Sequence, residues 1–203
     1  MVEAVELRPF ALPSVIYDKS LNEKNIPYKV EIDAVLCSKV LEHLNVDEKD
    51  IDSISIIAKR YRNIMSLGNS GVCKIDSRKV IIFTQRVWGL YKKWMSKTNK
   101  VISKREIAND DLFRNGIITP ELESLLNVNP LQRDPVNTRD LLSLAMQRRL
   151  NQTLLHELHH AAMFTRRLKS RFNLRELQFN ANQFAKSAME LFPLAVNIEP
   201  KIR

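Results

Sequence analysis

Leu154-Leu155-His156-Glu157-Leu158-His159-His160-Ala161-Ala162 contains a complete H-E-x-x-H. Each helical residue turns the side chain by roughly 100°, so His156 and His160 stand one above the other, a turn apart on one face. Two neutral imidazoles so placed can hold one cation. Zinc accepts imidazole nitrogen and keeps an open position for water in catalytic sites, and Glu157, beside the first histidine, can take a proton from that water. Thr153, Leu154, Leu155, Leu158, Ala161 and Ala162 surround the polar trio, so the segment is an apolar helix that buries it. Buried imidazole or carboxylate without a partner is costly, and a metal ion is one remedy. Hydrogen bonds from the histidines to carbonyls or to Glu157, with no metal, are the other.

The chain has 203 residues, 44% hydrophobic and 27% charged, a length and balance that suit one soluble domain, or one domain with an appendage. No apolar run reaches the ~20 residues that cross a bilayer, and Met1-Val2-Glu3-Ala4-Val5-Glu6 lacks the basic and apolar regions of a secretory signal. A cytoplasmic location is the simplest expectation. Cys37 and Cys73 form no C-x-x-C and are expected as buried thiols. The net charge of +9 draws polyanions or acidic partners by a long-range, salt-sensitive attraction, although many basic proteins simply carry a solvated positive surface.

Pro9, Pro13 and Pro27 punctuate residues 1–30, which predicts an extended arm or irregular lead-in. Ile32, Val35, Leu36, Lys39, Val40 and Leu44 recur at helical spacing, with Asn45 and Asp47 closing the segment. A second helix is predicted over 50–67, burying Ile51, Ile54, Ile57 and Tyr61 and stopping at Gly68-Asn69-Ser70-Gly71. Val72–Ile75 and Val80–Thr84, joined by the polar Asp76-Ser77-Arg78-Lys79, predict a β-hairpin packed on helices.

Residues 86–105 hold Arg86, Lys92, Lys93, Lys97, Lys100, Lys104 and Arg105 together with Trp88, Tyr91 and Trp94. The aromatics fall three apart, so they share one helical stripe and the lysines take the other face. An ordinary surface helix, a nucleic-acid surface and a membrane-surface or partner helix all fit that pattern. Residues 109–135 are turn-rich, with a short helix expected from Thr119-Pro120-Glu121. They complete what looks like a basic insertion at about 86–135.

The motif helix is expected to begin near Asn137 or Thr138, with Leu141, Leu144, Ala145, Arg148, Gln152, Leu155, His159 and Ala162 in one row. Arg166, Arg167, Lys169 and Arg171 follow it, where cations suit the helix dipole, although a substrate or phosphate contact is the rival role. A last helix starts after Asn173, whose Glu three residues on makes a capping box. Its apolar stripe is Ala181, Phe184, Ala185, Ala188 and Leu191 or Phe192, and Pro193 stops it. The small residues allow another helix close approach, and the motif helix is the natural neighbour.

His156-Glu157-Leu158-His159-His160, followed by Gln178-Phe179-Asn180-Ala181-Asn182-Gln183-Phe184-Ala185 and Leu191-Phe192-Pro193, resembles the gluzincin-type metallopeptidases, most closely the ImmA/IrrE family. The resemblance covers residues 71–84 and 140–193. It implies an α+β, mostly helical, zincin-like domain with a small β-hairpin or sheet packed on helices. It also implies a zinc ion (Zn2+) held by His156 and His160, Glu157 as the catalytic base, and a peptide or protein as substrate. The domain would span 71–203, with 1–70 as an N-terminal arm and helical lead-in.

The pattern departs at one decisive place. The family's third ligand, a glutamate, falls at Gln178, and the next acidic position falls at Asn180. Glu176 is the nearest carboxylate and the alternative third ligand, but two residues on a helix is a rotation of roughly 200°, and its capping role already accounts for it. His159 stands where the family has a small residue. A catalytically degenerate scaffold, binding nucleic acid or an acidic protein through Arg86, Lys92, Lys93, Lys97 and Lys100, is therefore the competing expectation. A carboxylate facing the two imidazoles would favour the enzyme, and an amide with packed aromatics the scaffold.

Overall fold

The structure, a computed structural model, describes residues 11–22, 28–60, 71–84, 135–165, 173–192 and 195–200. Among these the chain runs through β1 (Ser14–Tyr17), a 3-10 turn (Lys19–Asn22), β2 (Tyr28–Ile32), α1 (Ala34–His43) and α2 (Glu48–Ile51). It continues with β3 (Ser55–Lys59), β4 (Gly71–Lys74), a second 3-10 turn (Ile75–Ser77), β5 (Lys79–Phe83), α3 (Pro135–Thr165), α4 (Leu174–Leu191) and β6 (Val196–Pro200). The architecture is mixed α+β. The basic stretch 86–105 and the short helix expected at Thr119 lie outside the described residues.

The hairpin forms as expected, with β4 antiparallel to β5, but it is one end of a larger sheet. The strand order is β1-β3-β5-β4, with β1, β3 and β5 parallel. Val80, Ile81, Ile82 and Phe83 are all buried, the continuous apolar run of a strand covered on both faces. β2 and β6 pair antiparallel as a second sheet. The Tyr28 hydroxyl on β2 donates to Thr84 Oγ1 at 2.9 Å, and the Ile32 N–H donates to the Tyr17 hydroxyl at 2.9 Å.

Two expectations about residues 1–70 need correction. The helix predicted from 50 is a single turn, α2, followed by strand β3. Ile54, Ile56 and Ala58 are each 0% exposed, a period of two, and β3 lies between β1 and β5. Partners on both sides decide in favour of the strand, a choice that the β-branched isoleucines already favour. Tyr28, Val30 and Ile32 likewise face inward from β2, so α1 starts only after Asp33, whose carboxylate accepts from the Leu36 N–H at 3.0 Å. β1 pairs with β3, and β3 with β5, so residues on both sides of position 70 contribute strands to one sheet. Asn45 does close α1: at φ 56° its N–H reaches Glu42 O, and the Val46 N–H reaches Leu41 O at 3.0 Å, the paired bonds of a left-handed helix stop.

α3 packs on α4, β4, β5, β6 and α1. Its core row differs from the expected one. Met146, Leu150, Leu154 and Leu158 face the core beside Asn151, Leu155 and Ala162, whereas Leu144 is 37% exposed. Burying one such leucine is worth about 1.5–3 kcal/mol, so this helix is the spine of the molecule. Asn151 donates to the Phe192 carbonyl at 2.6 Å, tying α3 to the end of α4. The Asn173–Glu176 capping box is present in full, and Ala181, Ala185 and Ala188 are buried on the face of α4, as their size predicted. No helix among the described residues is long and apolar enough to cross a membrane.

Candidate metal centre

The apolar rows that hold α3 against the sheet and α4 leave His156 and His160 on the flank between them, with His156 half-buried and His160 buried. Their rings are edge to face, with centroids 4.7 Å apart, and the two Nε2 atoms approach to 3.0 Å. Two nitrogens held about 2.0–2.1 Å from one tetrahedral zinc ion would lie roughly 3.3 Å apart. The imidazoles therefore converge at nearly the spacing that a shared cation requires.

α4 supplies the opposing wall. Gln178 lies beside both imidazoles and Asn182 beside His156, and these polar neighbours oppose the lowering of the ring pKa by burial. The residues four apart on α4 thus answer the histidines four apart on α3. The sequence reading passed over Asn182, although its spacing from Gln178 was the signal that could have found it.

Glu176 points elsewhere: its carboxylate accepts from the Asn173 N–H at 3.1 Å, completing the cap. His159 packs on Phe184 of α4, with ring centroids 5.3 Å apart. Among the described residues no group of three His, Cys, Asp or Glu converges on one point. The two imidazoles alone converge by measured geometry, at 3.0 Å between their Nε2 atoms, with the Gln178 side chain beside them.

Burial first, and then the neighbouring His160, hold the His156 imidazole down at about 4. Burial also lowers His160, and with His160 beside it lowers His159 to about 4. The rings are thus neutral at pH 7, the form in which imidazole binds a metal. The His160 Nδ1 is buried without a partner among the described residues, while Phe164 stacks on that ring with centroids 6.2 Å apart. Packing, rather than a hydrogen bond at Nδ1, orients the ring.

Glu157 turns toward the sheet and is 7% exposed. It lies under β4: a Cβ built on Gly71 would meet Glu157 Cγ at 2.8 Å and Thr153 Cγ2 at 2.6 Å. Burial, and then the Glu157 charge, push the Cys73 thiol up to about 12, so Cys73 is neither nucleophile nor thiolate ligand at neutral pH. Cys37 is buried, and both thiols are free. A cavity of about 60 Å³ lined by Ile54, Cys73, Arg78, Ala161, Phe164 and Thr165 borders the site through Cys73 and Phe164.

Gly71 is required for close approach. Gly71→Ala should destabilise the protein by about 1–3 kcal/mol, the usual cost of overpacking, and Thr153→Ser in the same chain should recover part of that loss by removing the clashing methyl. Urea unfolding of the two variants checks this; an unchanged midpoint for Gly71→Ala would show that the strand can move aside at no cost.

No family model, curated protein or solved structure matches the chain.

Proposed function

We propose that the chain is a zinc-dependent metallopeptidase of gluzincin type, related to the ImmA/IrrE family, that hydrolyses a peptide bond in a protein substrate. The observation that carries this reading is the convergence of the His156 and His160 Nε2 atoms at 3.0 Å, with Glu157 on the same helix beneath β4. His156, His160 and Gln178 would hold the ion. When bound, zinc supplies Lewis acidity, polarising the scissile carbonyl and acidifying the attacking water.

The remaining work falls to the chain. Among the described residues β4 pairs only with β5, and an extended peptide can add to a sheet edge through backbone hydrogen bonds. Along β4 it would pass over Glu157. The Glu157 carboxylate takes the proton from water and hands it to the leaving amine. The cavity beside Cys73 and Phe164 is the adjacent recess for a small apolar side chain.

Zinc content is the direct test. Protein purified without chelator should carry zinc, and the His156→Ala/His160→Ala double variant should lose it. Equal and negligible zinc in both would end the reading.

One observation favours a second reading: an amide, Gln178, faces the imidazoles where the family places a carboxylate, and Phe164 and Phe184 pack on the neighbouring histidine rings. On that reading the chain is a zincin-like scaffold that binds nucleic acid or an acidic protein through the basic stretch from Arg86 to Lys100. Such binding weakens steeply with salt, so a salt-dependent shift of labelled DNA or RNA, retained in a metal-free variant, separates it from the first.

A further inference from the structure

We propose that Gly71 positions the Glu157 carboxylate for proton transfer, by presenting a bare Cα against which that side chain is set. This role rests on the metallopeptidase reading above, and it falls to a residue of β4 that itself touches no reacting atom.

Thr153 and Glu157, four apart, stand one above the other on the face of α3 that β4 covers. Both are 7% exposed, and Gly71 lies across them. A methyl at position 71 would meet Thr153 Cγ2 at 2.6 Å, Glu157 Cγ at 2.8 Å and Glu157 Oε1 at 3.0 Å, where ordinary contact starts near 3.4 Å. Something would have to give way, and two of the three parties are held. β4 is fixed through β5: Gly71 pairs with Ile82 and Cys73 with Val80, and both partners are 0% exposed in the core. The Thr153 methyl is held because the hydroxyl on the same carbon donates to the Arg149 carbonyl at 3.0 Å, and a β-branched side chain has little χ1 freedom on a helix. Glu157, with three side-chain torsions, is the part that can move. The missing Cβ at 71 therefore leaves the carboxylate its place, and a misplacement of about 1 Å at a catalytic group can cost a hundredfold in rate. The bare carbon faces α3, whereas the N–H and C=O groups that a peptide would use at the β4 edge lie in the plane of the sheet. Substrate binding should not feel the change.

Steady-state kinetics of the full chain on the best-cleaved member of a quenched fluorescent peptide library, expressed per zinc-loaded molecule, test this. Gly71→Ala should lower kcat by about tenfold to a hundredfold, with KM within about threefold of the parent and zinc content unchanged. In the Glu157→Gln background the same change should lower the residual kcat by less than about twofold, because groups that act as a unit do not add. A glycine needed only for packing would lower the yield of folded protein and leave kcat per loaded molecule where it was. Should Gly71→Ala not fold, Thr153→Ser is added to remove the closest clash, and Gly71→Ala/Thr153→Ser is compared with Thr153→Ser alone; kcat should still fall by about fivefold or more.

A kcat equal to the parent's, a loss that appears in KM instead, or an equal loss in the Glu157→Gln background would overturn the role of Gly71 and leave the metallopeptidase reading standing. If the parent itself neither holds zinc nor cleaves any member of the library, that reading and the role of Gly71 fall together.

Discussion

Glu157→Gln is expected to lower the rate of peptide hydrolysis by at least about a hundredfold, while the protein keeps its zinc and its fold. The substitution is nearly isosteric, which matters because the side chain is only 7% exposed and sits against the backbone of Gly71. A carboxamide fills the same space but has no basic oxygen to accept the proton of the attacking water. His156 and His160 are untouched, so metal content should not change. Cleavage of a quenched fluorescent peptide library, run beside elemental analysis of the same preparation, reads both quantities. A variant that cleaves at the parent rate removes Glu157 from the chemistry, and one that loses its metal shows that the carboxylate serves the structure instead.

The metal-free protein should lose stability as the pH falls from about 6.5 toward 4. His156 and His159 are each held down at about 4, and His160 is also lowered, burial being the largest cause in every case. The folded pKa lies below the unfolded value near 6.5, so between the two the unfolded chain binds protons that the folded chain refuses. Acid therefore favours unfolding. The stabilisation is complete above the unfolded pKa and disappears as the pH drops through the folded pKa, with each histidine contributing up to about 1.4 kcal/mol per pH unit inside that window. Urea unfolding in EDTA at pH 7, 6 and 5 should show a falling midpoint. Saturating zinc should move the loss to lower pH, because a proton must displace the ion before it can reach the nitrogen. A midpoint independent of pH between 7 and 5 would show that the rings are not buried as described.

Much of the candidate site was legible before any coordinates. The four-residue spacing of His156 and His160 placed both rings on one face, and the Asn173–Glu176 cap, the small residues of α4 and the hairpin are all local patterns that the structure reproduces. Each depends on residues within a turn or two of each other, and a helix satisfies its own backbone hydrogen bonds wherever it lies. The same logic excused Glu176 from the site, since a side chain committed to the cap cannot also face the imidazoles.

Other features needed the tertiary structure. Ile51, Ile54 and Ile57 fit helical spacing as well as Ile54, Ile56 and Ala58 fit a strand, and only the arrival of β1 and β5 on either side decided between them. Val30 and Ile32 were likewise settled by β6, from the far end of the chain. The burial of the motif helix also differed from its predicted row, because its neighbours, a sheet on one side and α4 on another, set which residues face inward. The sequence by itself determined that two imidazoles share a helical face with a carboxylate beside them, for that follows from the pitch of a helix. That an amide, Gln178, replaces the carboxylate was also readable from the sequence, whereas the presence of Asn182 beside His156 and the 3.0 Å approach of the two Nε2 atoms depended on how two helices pack, a relation carried by contacts between residues far apart in the chain.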